Sequence, residues 1–407
     1  MSLIEKLLAG VDVEWKTLGE VATIQRGASP RPIAKFITDD KNGVPWIKIG
    51  DTSSDSKYVT KTKQMITPEG AKKSRILKPG DFIMSNSMSF GRPFILNIEG
   101  AIHDGWASIS DFRHKMNSDY LFHLLSSNNV QLYWESKINN GGAVSNLNAD
   151  IIRSLPIPIP SLEIQEEIVR ILDKFTELTT ELTTELTTRK KQYEYYRNKL
   201  LSFEEGEVEW KTLGWVGDVR MCKRILKNQT ASSGDIPFFK IGTFGKVPNA
   251  YISRDLFKEF KEKYNYPRKG EILISASGTI GRAIIFNGED AYFQDSNIVW
   301  LENDESKVLN KYLFYFYEVA KWNVSDGGVI KRLYNDNIKK TLIPIPYPKD
   351  TDRSLAEQAR VVKILDNFHT ISNSISEGLP REIELRQKQY EYYRDKLLSF
   401  PKSEVGA

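Results

Sequence analysis

The sequence predicts a mixed α/β protein: two similar modules with strand-rich cores, separated by two long antiparallel α-helices of coiled-coil type, related by a pseudo-two-fold internal repeat. Three observations lead there. The chain is written twice, each copy holds short apolar runs bounded by turn residues, and each copy ends in a long stretch with helical spacing.

The repeat comes first. VEWKTLG at positions 13–19 recurs letter for letter at 208–214, a displacement of 195 (210 minus 15 for the tryptophan). KQYEYYRNKLLSF at 191–203 returns as KQYEYYRDKLLSF at 388–400, with one residue changed. Weaker echoes lie between these anchors in the same order. VPWIKIGD at 44–51 matches IPFFKIGT at 236–243, and LKPGDFIMSNSMSFGRPFI at 77–95 matches PRKGEILISASGTIGRAII at 267–285. The latter pair reads as a turn, an apolar strand, a polar loop, Gly-Arg and a second strand. A Gly-Gly pair follows at 141–142 and at 327–328, and SLPIPIP at 154–160 and TLIPIPYP at 341–348 lead into QEEIVRILDKF and QARVVKILDNF. The expected parts are a first module at 1–155, a helical region at 156–204, a second module at 205–343 and a second helical region at 344–407. Variation concentrates in the globular parts, so the shared segments make a common scaffold that carries two different surfaces.

Positions 161–203 contain no Gly or Pro, and Ile168, Ile171, Leu172, Phe175, Leu178, Leu182 and Leu186 recur at helical spacing. At 1.5 Å per residue such a helix approaches roughly 60 Å and needs a partner helix for support. TELT is written three times at 176–187. A four-residue step overshoots the helical turn by about 40°, so the stripe of Leu178, Leu182 and Leu186 precesses slowly around the helix, as a spacer packed on a second helix would. The matching stretch from about 355 is interrupted by Gly378-Leu379-Pro380, which predicts a kink or break. The Ile-Pro runs read as extended connectors, Trp15 and Trp210 as core residues, and Tyr193, Tyr196, Tyr390 and Tyr393, with Tyr195 and Tyr392 beside them, as an aromatic helix face for the core or a subunit interface.

Bulk properties exclude more than they identify. The 407 residues are 40% hydrophobic and 27% charged, with no apolar run long enough to cross a bilayer and no signal-peptide core at the start, which predicts a cytoplasmic protein without membrane partners. The net charge of +4 is compatible with nucleic acid. The single cysteine, Cys222, rules out an internal disulfide, and His103, His114, His123 and His369 show no metal-ligand spacing, so no metal site is expected. SGTIGR at 277–282 lacks the glycine spacing of a phosphate loop, and neither Ile-Pro run supplies an Asn- or Asp-Pro-Pro-aromatic methyltransferase motif. Asp81 and Glu271 each follow a glycine, which suits a turn. No catalytic residue is expected.

The duplicated EWKTLG, the IPIP-to-QxxIVxILDKF junction, the TELT repeats and the twin QYEYYRxKLLSF ends resemble specificity subunits of type I restriction-modification systems, more narrowly the IC group. The resemblance spans the chain and implies a non-catalytic subunit with two target-recognition domains on paired antiparallel helices, each reading one half of a split, asymmetric site in double-stranded DNA. It further implies two modification subunits docked on the helices, which carry S-adenosylmethionine and methylate adenine. Restriction subunits that use ATP and Mg would join them, and this chain itself would bind no cofactor. In that family the tetrapeptide number sets the unread spacer. The 13 residues between Phe175 and Arg189 (189 minus 175 minus 1) match the shorter form, which implies about six base pairs, four residues being about 6 Å of helix. Threonine stands where the group often has alanine.

A DNA reader needs phosphate donors and side chains for base edges. In the first module these are Lys48, Ser85, Asn86, Ser87, Ser89 and Arg92, then Asn139, Asn140, Ser145 and Asn146 around the Gly-Gly pair. In the second they are Lys240, Ser275, Ser277, Thr279, Arg282, Lys331 and Arg332. The Gly-Arg dipeptide survives in both modules, which points to a phosphate or structural role rather than base reading. The alternative from another class is a coiled-coil scaffold or adaptor that binds proteins; salt-dependent, sequence-selective DNA binding separates the two.

Overall fold

The computed structural model describes residues 3–53, 56–86, 91–138, 147–203, 208–324, 331–374 and 377–401. The chain divides into two compact units: Met1–Thr183 with Glu382–Ala407, and Thr184–Arg381. Among the helices, α1 runs Ser118–Leu125, α2 Asn128–Ile138, α3 Leu162–Leu200, α4 Asn310–Tyr317, α5 Thr351–Asn373 and α6 Gly378–Leu397. The unit boundaries fall inside α3 and α6, so division into compact units cuts across division by chain order.

In the first unit, a five-stranded sheet has the order Thr23–Arg26, Trp106–Ser110, Phe82–Ser85, Pro93–Leu96, Tyr58–Val59. A second sheet has a parallel pair, Val44–Ile47 beside Gly100–Ile102, near its middle. The second unit repeats the plan with fewer strands. Gly217–Arg220, Ile298–Asn303, Ile272–Ser275 and Ala283–Ile285 follow the same order, and Ile236–Phe239 lies parallel to Tyr292–Phe293. Apolar residues fill both faces of the central strands, as Phe82, Ile83 and Met84 and then Ile272, Leu273 and Ile274 are all buried.

The Ile-Pro runs are extended and lead into the long helices as expected, and they also form ladders. Each is a strand paired antiparallel with the EWKT segment, Pro156–Ile159 on Glu14–Thr17 and Leu342–Pro346 on Val208–Thr212. Proline is tolerated because each ladder has only two strands, leaving an edge that needs no N–H. Trp15 lies opposite Pro158 and Trp210 opposite Pro344. This register corrects the core assignment for Trp210, which is 51% exposed on the outer face of its ladder; Trp15 is half-buried.

The long helices form where their spacing predicts. Ile168 and Leu172 of α3 are fully buried in the first unit, and Val361 and Leu365 of α5 in the second. The expected break is real, since α5 ends at Asn373 and α6 begins at Gly378. Gly378 has φ +76°, and a Cβ there would stand 2.4 Å from the Thr370 carbonyl oxygen. Pro380 then occupies the first turn of α6, where its missing N–H costs nothing. Leu178, Leu182 and Leu186 are half-buried along α3. The threonines between them bond backward, Thr179 Oγ1 to Phe175 O, Thr180 to Thr176 O and Thr183 to Thr179 O, each at 2.8 Å. A hydroxyl that would compete with the helix is thereby satisfied by it.

Neither globular block closes its own core. Segment 388–400, the end of α6 and the residues after it, completes the first unit with Leu397, Leu398 and Phe400, and segment 191–203, the end of α3 and the residues after it, completes the second with Tyr193 and Leu201. The sockets are built alike. Buried Gln165 accepts from Asn117 N (2.8 Å) and donates to Lys115 O and Pro160 O, while buried Gln358 accepts from Leu309 N (2.9 Å) and donates to Lys307 O. Tyr120 donates to Pro158 O and Tyr312 to Pro344 O. Phe175 stacks on Tyr393 and Phe368 on Tyr196. Gln358→Leu fills the same space but leaves two backbone groups unpaired, so unfolding in urea should show a loss of about 2–3 kcal/mol.

The sockets are not identical, and the surroundings of His123 are one difference. His123 Nε2 lies 2.9 Å from Asp173 Oδ1 and Nδ1 lies 2.9 Å from the Tyr390 hydroxyl, where the second unit has Tyr315 donating to Asp366. A neutral imidazole satisfies both neighbours by donating to Asp173 and accepting from Tyr390. Burial lowers the His123 pKa, helped by nearby Lys57 and opposed by Asp173 and Asp119. Because the folded state then holds its proton less tightly than the unfolded chain, stability is full above the ordinary histidine range and declines as pH falls below about 6.5. His123→Tyr should flatten that decline in urea midpoints measured between about pH 5 and 7.5.

Candidate nucleic-acid interface

In the first unit several strands end at one edge. Ser85 pairs with Trp106, Arg26 with Ala107 and Ile47 with Ile102. Backbone bonds tie the departing loops together: Asn86 N to Gly105 O, His103 N to Ile47 O, Gly27 N to Trp106 O, and Leu147 N to Asn86 O. Lys48 leaves the same edge, its Nζ 2.7 Å from Gln64 Oε1. Leu147, the first described residue after the Gly-Gly pair in sequence, is therefore held beside Asn86.

Asp104 is the hub of this edge. Its carboxylate accepts from Ser29 Oγ at 2.8 Å and meets His103 Nε2 at 3.0 Å and Arg31 at 3.6 Å. Its carbonyl accepts from Arg26 Nε at 3.2 Å and Asn86 Nδ2 at 3.1 Å. Burial pushes its carboxyl upward, but the Ser29 hydroxyl, His103 and Arg26 outweigh that and hold it below its usual value. Arg31, with 85% of its side chain exposed, projects from the cluster.

The second unit builds the same edge from other residues. Ser277 donates to Asn297 Oδ1 at 2.9 Å, Arg332 donates to Ser296 O at 2.8 Å, and Ser277 and Arg332 form a backbone bridge. Asp295, in the place of Asp104, pairs with the exposed Arg224 at 2.8 Å. Ile241 N donates to the Gln294 amide, which keeps Lys240 beside the group. Lys240, Thr279 and Lys331 are exposed, while Ser275 and Ser277 are buried.

The expected site residues therefore fall into two sorts. Lys48, Ser85 and Asn86 meet at one edge, as do Lys240, Ser275, Ser277 and Arg332 at the other, but several of these groups hold loops. Ser275 Oγ accepts from Arg282 N and donates to Thr279 O, and Arg282 donates to Phe244 O at 3.1 Å. Arg92 lies over the Phe94 ring. Ser87, Ser89, Asn139, Asn140, Ser145 and Asn146 lie outside the described residues. Sequence reasoning missed Arg26, Ser29, Arg31, Asp104, Arg224, Gln294, Asp295 and Asn297. The signal available was the aspartate shared by IHDG and FQDS at the same place in each half.

The Gly-Arg turn is structural at its glycine. Gly91 N bonds Ser85 O and Gly281 N bonds Ser275 O, both at 3.0 Å, with φ +79° and +80°. A Cβ would come within 2.7 Å of Trp134 or 2.4 Å of Trp322. Gly281→Ala should cost about 2 kcal/mol or more of stability in urea. Gly242→Ala, where a Cβ meets nothing within 4 Å, is the control expected to change little.

Asp81 and Glu271 close turns, accepting from Lys78 N at 2.9 Å and Arg268 N at 2.6 Å. Among the described residues no group of three or more His, Cys, Asp or Glu could hold a metal ion, and burial pushes the Cys222 thiol up to about 12. Tyr193 is enclosed by its own chain and donates to Glu318 at 2.5 Å, Tyr390 lies 2.9 Å from His123 and Tyr393 stacks on Phe175, contacts that match the core packing named as one of the two roles of this aromatic face. Tyr195, Tyr196 and Tyr392 keep 59%, 40% and 61% exposure.

Two modules with one framework, each gathering polar and cationic side chains at a strand-end edge and each closed by a segment of the other repeat, define a paired recognition protein. The model of the type I restriction modification DNA specificity domain matches residues 10–189 and again 205–385, and the chain belongs to that family. It is 48% identical over 411 residues to a Haemophilus influenzae chain named as a type I restriction enzyme specificity subunit, covering 98% of each. It is 33% identical over 435 residues to the EcoR124I/EcoR124II specificity subunit of Escherichia coli, covering 100% of this chain and 98% of that one. Among solved structures, a chain from a study of complex assembly and conformational transition of the type I system superposes with TM-score 0.61 at 17% identity, covering 96% of this chain and 98% of that one. The M. genitalium S subunit gives 0.52 at 15%, covering 99% and 100%. These two likenesses speak to the fold. No helix among the described residues is long and apolar enough to cross a membrane.

Proposed function

We propose that each unit reads one half of a split, asymmetric site in double-stranded DNA, and that the helical segments seat two modification subunits. The observation that carries this is the shared framework with unlike edges: the same strand order and Gly-Arg turn present Asn86, Arg31 and Asp104 in one unit and Ser277, Asn297 and Arg224 in the other. A common scaffold with substituted contact residues is what two different half-sites require. Exposed Arg31 and Arg224 suit phosphates, and Asn86 and Asn297 have the amide that pairs with adenine. S-adenosylmethionine belongs to the modification subunits, ATP and Mg to restriction subunits, and this chain supplies the address. The names of its relatives support the specificity role of this chain. The cytoplasm, where the host DNA is, is the proposed location.

Within this reading α3 is the ruler. One TELT unit adds about 6 Å of rise and about 40° of rotation, and one base pair adds about 3.4 Å and about 34°. Methylated adenines mapped in the host genome should form a bipartite motif with a fixed gap of about six base pairs, the shorter-form expectation. Deleting Thr180-Glu181-Leu182-Thr183 should shorten the gap, and an unchanged gap would refute the ruler. Arg31→Ala should weaken binding to all sequences alike and reduce its salt dependence, in titrations of the complete methyltransferase.

A further inference from the structure

The matched segments 191–203 and 388–400 differ only at Asn198 and Asp395, and the structure gives that difference a physical context. In the first unit Arg394, with 7% of its side chain exposed, donates to Asp395 Oδ1 at 3.2 Å and to Asn128 Oδ1 at 3.2 Å. Asp395 also accepts from Asn128 N at 3.2 Å and Asn128 Nδ2 at 2.8 Å, at the start of α2. In the second unit the equivalent Arg197 donates to Glu318 Oε2 at 2.9 Å, and Asn198 Oδ1 accepts from the same guanidinium at 3.3 Å. Glu318 follows α4 where Ser126 follows α1, a correspondence fixed by the Gln165–Asn117 and Gln358–Leu309 bonds. Each arginine thus bonds one carboxylate among the described residues. The docked segment supplies it in the first unit, and the globular block supplies it in the second.

We propose that Asn198 and Asp395 are charge addresses that assign each of the two otherwise identical segments to its own unit. Segment 388–400 seated in the second unit would crowd two carboxylates, Asp395 and Glu318, onto one guanidinium. Segment 191–203 seated in the first would leave an almost fully buried arginine with no carboxylate. Both mismatches are penalised, the first by repulsion and the second by an uncompensated buried charge. Tyrosines and leucines shared by the segments supply affinity without choice.

The test is hydrogen exchange by mass spectrometry on the full chain. Asn198→Asp and Glu318→Gln should each speed exchange in 191–203 and 310–318 by about five-fold, the size expected for a misbalanced ionic contact, and leave 388–400 unchanged. The double variant, which restores one carboxylate to Arg197, should return to within about two-fold of the parent. Asp395→Asn should speed exchange in 388–400 and 126–131 alone. Should Asn198→Asp fail to fold, folding of the double variant supports the address and its failure overturns it. Silence of Asn198→Asp or Asp395→Asn, or absence of rescue by Glu318→Gln, also overturns it.

Discussion

Each unit depends on a helix it does not encode contiguously. Leu397 and Leu398 seal the first core and Tyr193 and Leu201 the second, so each globular block is closed by the thirteen-residue segment that ends the other repeat. This constraint explains why those segments are nearly letter-identical while the blocks between them diverge. Gln165 and Gln358, Tyr120 and Tyr312, and Phe175 and Phe368 shape equivalent sockets, and a segment fitted to one is nearly fitted to the other. Freedom is left to the surfaces that touch neither segment nor socket.

That freedom is spent at the strand ends. The backbone at each edge is fixed by sheet register and by a left-handed glycine lodged against a tryptophan, Gly91 on Trp134 and Gly281 on Trp322. Within that frame an aspartate organises the loops in both units, but its company changes from Ser29, His103 and Arg31 to Arg224. A rigid edge with exchangeable side chains lets surface chemistry change without refolding the module.

How much the sequence reveals follows from how local each feature is. Periodicity and breakers are local, so α3, the break before Gly378 and the strand–loop–Gly-Arg–strand pattern could all be read in advance. The pairing of EWKT with IPIP joins residues more than a hundred positions apart, and nothing in either segment announces it; hence Trp210 read as core although it lies on an open ladder. The same limit hid Asp104, whose partners Ser29 and Arg31 come from a distant loop. It also hid the roles of Ser275 and Arg282, polar residues that look free on paper and are committed to their own loop in space.

The threonines of α3 carry one more consequence. The hydroxyls of Thr179, Thr180 and Thr183 each reach the carbonyl four residues back, and four is also the length of the repeating unit. Copy number is therefore invisible to the local bonding, because every inserted or deleted tetrad finds the same acceptor beneath it. A tract of this kind can gain or lose four-residue units while remaining one uninterrupted helix, and its length changes in whole steps.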